Sequence, residues 1–275
     1  MANHSEVRVI EAMRGSFEVI APSAVPAPVV VHVPHSATHL PADVRRSLQL
    51  GDAELARELR TMTDHHTELI VAGTGALGAT RFVNRWSRLA VDPERFADPR
   101  LEEMEGVGMG AVYTATSDGR PLRTIDPAQR EQLLARHFHP YHAAFAAEVD
   151  RQLEDHGVCT IIDVHSYPSD ALAYERHGTD PRPPLCIGTH PVHTPEGLRA
   201  TIAGIAQADG LAWALDVPFR GTYVPLRHLD DPRVRSVMLE FRRDTYLDEV
   251  TTEPHAGLAR LSRLCEVVVA TVAAR

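Results

Sequence analysis

Apolar residues along this chain recur in two alternating rhythms. Short runs rich in Val, Ile and Phe, bounded by Pro, Gly and Asp, read as strands: FEVIAP, APVVVHVP, TRFVN, RLAVD, VCTIIDVH, LCIGT, AWALDVPF and RSVMLEF. VVVHV and CTIIDV lack polar alternation, as strands covered on both faces do. The stretches between them carry helical spacing. DAELARELRTMTDHHTELIVA predicts a helix with Asp52 as its N-cap, and DPAQREQLLARHF opens with Asp126 and has Pro127 at the first helical position. PYHAAFAAEVDRQLEDHG runs from Pro140 to Gly157, TPEGLRATIAGIAQADG has Thr194 as cap, and HAGLARLSRLCEVVVATVAA closes the chain. Strands alternating with helices predict an α/β fold, a three-layer sandwich whose central mixed, largely parallel sheet has helices on both faces.

The stretch 98–123 is rich in glycine and charge and has no clear period, so it reads as a long active-site loop rather than a linker. With no repeat and no low-complexity tail, residues 1–275 are expected to form a single domain.

Composition narrows the function. The 275 residues are 44% hydrophobic with a net charge of −9, an ordinary mildly acidic balance without a basic face. Nucleic acid and anionic membrane are therefore poor partners, and a small molecule is expected instead. No lysine occurs, so Schiff-base and lysine-base mechanisms are excluded and any fixed cation is arginine or a metal. Cys159, Cys186 and Cys265 stand singly in apolar contexts and read as buried thiols of a reducing compartment. The N-terminal stretch 1–16 lacks the apolar core of a signal peptide, and no run reaches membrane-spanning length, so a cytoplasmic location is expected.

In open α/β sheets ligands bind beyond the carboxyl ends of the strands, which singles out the polar residues there. These are His35 and Ser36 after VVVHVP, Asp163, His165 and Ser166 after CTII, Asp216 after WAL, and Glu240 at the end of SVML. Asp64, His65, His66 and Glu68 fall in the TDHHTE stretch. Two histidines and a carboxylate from different elements are what a catalytic zinc takes, leaving a fourth position for water. Glu240 could then act as general base. Bland roles compete with these: His32 can simply pack, and Glu240 can pair with Arg242 or Arg243. Those two arginines point to opposite faces of a strand, so only one can serve a site. His65 and His66 likewise point two ways. Ser36 and Ser166 lack the GxSxG elbow of a serine hydrolase.

VPHSATHLP, MTDHHTELI, RLAVDPERF, HPYH, IIDVHSYPS, LCIGTHPVHTPEGL, VPFRGTYVP and MLEFRRDTYLDE occur in an order that resembles the N-formylglutamate amidohydrolase family. These motifs span most of the chain. The resemblance implies an α/β fold similar to that of zinc carboxypeptidases and aspartoacylases, and hydrolysis of the amide of a small, carboxylate-bearing N-formyl or N-acyl amino acid. It implies one divalent metal, Zn2+ first, with Mn, Fe, Co or Ni also suited to mixed ligation. By motif position, His35, His165 and Asp64 would be its ligands, with Glu68 competing for the third place, and Glu240 would be the general base. Asp163 would orient His165, with Ser166 beside it. VDPERF looks like the DLNRxF element of the aspartoacylase relatives, which makes Arg95 a carboxylate binder and puts Glu94 where that pattern has asparagine. Arg88, Arg220 and Tyr223 are further substrate-binding candidates. A hydrolase of a different amide, or a binding protein that has kept the fold, are the alternatives.

Overall fold

In the computed structural model, residues 15–175 and 181–274 are described; most of the N-terminal stretch weighed above as a signal peptide lies outside them. The sheet has seven strands: β1 (Phe17–Ile20), β2 (Val29–Val33), β3 (Thr80–Asn84), β4 (Cys159–Tyr167), β5 (Leu185–Gly188), β6 (Trp213–Leu215) and β7 (Val234–Arg242). Their order is β1-β3-β2-β4-β7-β5-β6. The pairs β2/β3, β2/β4, β4/β7 and β5/β6 are parallel, while β1/β3 and β5/β7 are antiparallel. The central strands β2 and β4 are buried along their whole length, as their unbroken apolar runs required.

The helices are α1 (Ala42–Ser47), α2 (Asp52–Met62), α3 (Thr67–Ile70), α4 (Pro127–Leu133), α5 (His139–His156), α6 (Glu196–Ala208) and α7 (Gly257–Ala273). One sheet face, with Val29, Val31, Val33, Ile162, Val164, Leu239 and Phe241, packs against the apolar stripes of α6 and α7. The other, with Val30, Phe82 and Ile161, packs against Tyr141, Phe145 and Val149 of α5. Phe145 and Tyr141 meet Phe82 edge-on at 4.8 and 5.1 Å, and each such side chain, fully buried, contributes about 1.5–3 kcal/mol. Because strand side chains alternate, the second face continues through His32 on β2, Asp163 and His165 on β4, and Glu240 on β7. The register places His32 beside Asp163, and His165 beside Glu240.

Several local expectations are corrected. RLAVD is a turn, not a strand; Arg88 and Asp92 at its ends bind each other, which folds the segment back on itself. The helix expected over 52–72 stops at Met62 and resumes at Thr67, because the Asp64 N–H donates to the His35 carbonyl at 3.0 Å instead of to its own helix. Gly51, not Asp52, is the N-cap of α2: Glu54 reaches back to the Gly51 N–H, and Asp52 pairs with Arg45. Thr194 does not cap α6, since its hydroxyl donates to the Ser236 carbonyl, and Pro195 takes the cap position. The two helices expected on either side of residue 139 run on from each other through a π-helical turn, Leu134–Phe138. The three cysteines are buried and unpaired. No helix among the described residues is long and apolar enough to cross a membrane.

The segment 98–123 packs inward rather than lying loose. Met109, Tyr113 and Leu122 are fully buried against Leu48, Leu50 and Leu89, and the Tyr113 hydroxyl donates to Asp92 at 2.5 Å.

Candidate active site

At the carboxyl ends of β2, β4 and β7 a cavity of about 520 Å³ opens, with His35, Asp64, His165 and Glu240 in its wall. Each arrives by a different route. His35 follows β2 in the Pro-His-Ser turn, Asp64 sits in the break between α2 and α3, and His165 and Glu240 end neighbouring parallel strands. His35, Asp64 and His165 are all buried, and one potential ligand atom of each lies within 4.8 Å of the others. His35 Nδ1 and His165 Nδ1 face each other at 3.2 Å. Asp64 Oδ2 stands 3.3 Å from His165 Nδ1 and 3.7 Å from His35 Nδ1.

The surroundings fix which atoms converge. His35 Nε2 donates to Asp92 Oδ1 at 2.9 Å, and His165 Nε2 lies 3.0 Å from both Asp163 Oδ1 and Glu94 Oε2. A carboxylate on the far nitrogen holds the proton there and leaves each Nδ1 lone pair for a cation. Asp64 Oδ1 is taken by Arg243 at 3.3 Å, so Oδ2 is the atom turned to the common point. This donor set, two imidazole nitrogens and one carboxylate oxygen, fits a divalent metal with an open fourth position. Glu68 instead pairs with Arg85 at 2.6 Å and is not part of this cluster.

The electrostatics lead the same way. Burial disfavours charge on His165, yet Glu94 and Asp163 outweigh it and hold the ring well above the ordinary histidine range. Burial would raise the Asp92 carboxyl, but Arg88 and then His35 overcome it and hold the group well below the usual carboxylate range. So many buried carboxylates need positive charge among them, which a proton on His165 or a bound cation supplies.

Glu240 differs from its neighbours. Its Oε2 is buried with no hydrogen-bond partner. Burial, then the nearby Asp64 and Glu94 charges, push its carboxyl up to about 8 against the opposing pull of His165 and Arg88. Neither arginine that follows it is its partner: Arg242 binds Asp244, and Arg243 binds Asp64 and Ser166. By alternation Arg242 would share the face of Glu240, but β7 ends at Arg242 and the 3-10 turn that follows, Arg243–Thr245, brings Arg243 rather than Arg242 to the cavity.

Among the expected substrate-binding residues, Arg88 gives Nε and Nη2 to Asp92 and is largely committed there. Arg95 makes only long contacts, to the Met109 and Glu94 carbonyls at 3.4 and 3.3 Å, and forms no ion pair with a described residue. Arg220 is exposed and also lines the cavity. The Tyr223 hydroxyl meets His142 Nδ1 at 2.8 Å, and its backbone N–H donates to Asp163 Oδ2 at 3.1 Å. Ser166 touches the site through Arg243.

Three residues carry more than sequence reasoning assigned them. Asp92 is the partner of His35; its sequence signals are its place in VDPERF, where it matches the aspartate that opens DLNRxF, and its spacing of four from Arg88. Glu94 faces His165 and His32 rather than standing apart as a substituted binding residue. His32 does more than pack: it links Asp163 at 3.0 Å to the Tyr141 hydroxyl at 2.5 Å. His32, Glu94 and Asp163 also cluster tightly enough to hold an ion, but both His32 nitrogens are engaged, and the group acts as a brace behind His165.

The model of the N-formylglutamate amidohydrolase family matches residues 27–247. The chain is 30% identical to the N-formylglutamate deformylase of Pseudomonas aeruginosa over 254 residues, which cover 88% of this chain and 90% of that one. It is 28% identical to the N-formylglutamate deformylase of Pseudomonas putida, with 88% and 89% covered. Among solved structures, N-formylglutamate amidohydrolase from Ralstonia eutropha JMP134 superposes with a TM-score of 0.83 at 23% identity, covering 94% of this chain and 98% of that one. Gene product Atu2144 from Agrobacterium tumefaciens gives a TM-score of 0.69 at 17% identity, covering 95% and 94%. The two superpositions establish a shared fold.

Proposed function

This chain belongs to the N-formylglutamate amidohydrolase family and is an amidohydrolase; from that premise we propose that it hydrolyses the C–N bond of a small, carboxylate-bearing N-formyl or N-acyl amino acid with the help of one divalent cation. The observation that carries the cation is the convergence of His35 Nδ1, Asp64 Oδ2 and His165 Nδ1, each with its other polar atom occupied. Mixed nitrogen and oxygen ligation with three protein donors favours zinc. When bound, the cation supplies Lewis acidity, lowering the pKa of a water and polarising the amide carbonyl.

The remaining work falls to the chain's own side chains. Glu240, with a free Oε2 at the cavity wall, takes a proton from the attacking water in its carboxylate form, which the positive charge of a bound cation would favour against the rise toward about 8. Oxygen adds to the carbonyl carbon, the C–N bond breaks, and Glu240 returns the proton to the leaving nitrogen, so that one acid and one amine are released. Arg95 and Arg220, with no ion pair to a described residue, hold the substrate carboxylate; a planar guanidinium suits that group. Asp92, Asp163 and Glu94 fix the two imidazoles, and Arg243 fixes Asp64.

The test is acid release from N-formyl and N-acyl amino acids before and after chelation. Dialysis against a strong chelator is expected to abolish hydrolysis, and Zn2+ to restore it. Full activity in protein shown by elemental analysis to be metal-free would refute the proposal. A finer expectation concerns Asp92. Asp92→Asn keeps the shape but weakens the hold on the His35 ring, so cation affinity should fall about 10- to 100-fold. Competition with a chromogenic chelator measures this; unchanged affinity would remove Asp92 from the supporting set.

A further inference from the structure

We infer that the substrate carries, besides its amide and carboxylate, an uncharged apolar group of aromatic size. The inference rests on the amidohydrolase reading above and concerns what fills the rest of the cavity. N-formylglutamate occupies roughly 150–180 Å³, about five or six water volumes at ~30 Å³ each. The cavity holds about 520 Å³, within the ~300–1,000 Å³ of pockets that enclose drug-sized ligands. A formyl group and a glutamate side chain leave most of it unfilled.

The character of the remaining wall says what would fill it. Phe138, Val224, Leu226 and Leu229 line it. His142 belongs to the same wall despite being ionisable. Burial pushes its imidazole down to about 4, the Phe138 ring lies over it at 3.9 Å, and its Nδ1 is taken by Tyr223. At neutral pH that surface is uncharged. Around the opening, Phe96, Leu226 and Leu229 are 43%, 61% and 38% exposed. A single exposed large apolar side chain is ordinary, but three around the mouth of one deep polar site mark a surface that a ligand covers. The converging donors and Glu240 lie at the sheet end, so a substrate with its amide there and its carboxylate on Arg95 has the apolar part of the wall left for its remaining group.

The test uses Zn2+-supplemented enzyme with N-formyl-L-glutamate, N-formyl-L-phenylalanine and N-benzoyl-L-glutamate. The last two set the aromatic ring on the amino-acid side and on the acyl side of the amide. kcat/KM is measured for each on the wild type, and binding of each to Glu240→Gln is measured by calorimetry. At least one aromatic compound is expected to exceed N-formylglutamate by ~10-fold or more in both, in line with the ~10–200-fold that a small apolar increment yields in an apolar pocket. In the Leu226→Ser/Leu229→Ser double variant that ratio should fall severalfold. If N-formylglutamate is bound and turned over as well as both aromatic compounds, the inference is overturned while the hydrolase reading stands. If nothing is hydrolysed but Glu240→Gln binds an aromatic compound more tightly, the hydrolase reading fails and the inference holds. If Glu240→Gln binds neither aromatic compound, the inference is overturned.

Discussion

His165→Ala is expected to strip the protein of its cation and lower kcat/KM by at least ~10³-fold, beyond the ~10–100-fold that follows loss of a partner behind a ligand. The reason is its position. His165 is the donor that both other ligands face, at 3.2 Å from His35 Nδ1 and 3.3 Å from Asp64 Oδ2. On its other side it touches Asp163 and Glu94. Removing the ring deletes one of the three converging donors and the group that separates Asp64 from Asp163 and the partly buried Glu94, so the cation loses a donor and the preorganised geometry. Elemental analysis beside kinetics checks it: about one metal per chain in the wild type, and little in the variant. Circular dichroism establishes whether the variant is folded; if it is not, Asp64→Asn, which keeps the shape and removes the charge, takes its place. A folded variant that retains both metal and rate would show that the cation is held elsewhere.

Glu240→Gln should separate proton transfer from cation binding. Gln fills the same space and cannot accept the proton, so kcat is expected to fall about 10²- to 10⁴-fold, the usual range for a positioned acid–base group. Metal content should not change, because Glu240 is not among the converging donors. The carboxyl is well placed for this role: it is the neighbour of His165 across the β4/β7 pair, buried, and unpartnered at Oε2. Wild-type kcat in the variant would sink the assignment. Loss of metal together with rate would make Glu240 a ligand instead.

Much of the candidate site, as a set of residues that the fold brings together, could be read from the chain before any coordinates. His35, His165 and Glu240 stand at the ends of apolar runs, and a strand that ends in a buried polar residue must bring that residue to the rim of the sheet. The parity of Asp163 and His165, two residues apart, already set them on one face. The choice between Asp64 and Glu68 was not legible in the same way. One turn separates them on an uninterrupted helix, and the TDHHTE pattern gave no sign that the helix breaks there. The break comes from a hydrogen bond to His35, which is distant in sequence. RLAVD misled for a related reason: its apolar centre fits a strand, but the Arg88–Asp92 pair folds it into a turn that delivers Asp92 to His35.

The sequence by itself determined the layered α/β class, the central strands buried on both faces, and the family, because these depend on period, apolar content and the order of motifs. Only the tertiary structure decided which oxygen and nitrogen atoms converge, that Arg243 serves Asp64 rather than Glu240, that Glu94 and His32 brace His165, and that an apolar wall continues from the site to the cavity mouth. The polar pairings among them join residues from 29 positions apart, His35 and Asp64, to 179 apart, Asp64 and Arg243, and pairings at that range are set by strand order and loop closure, which local pattern does not encode.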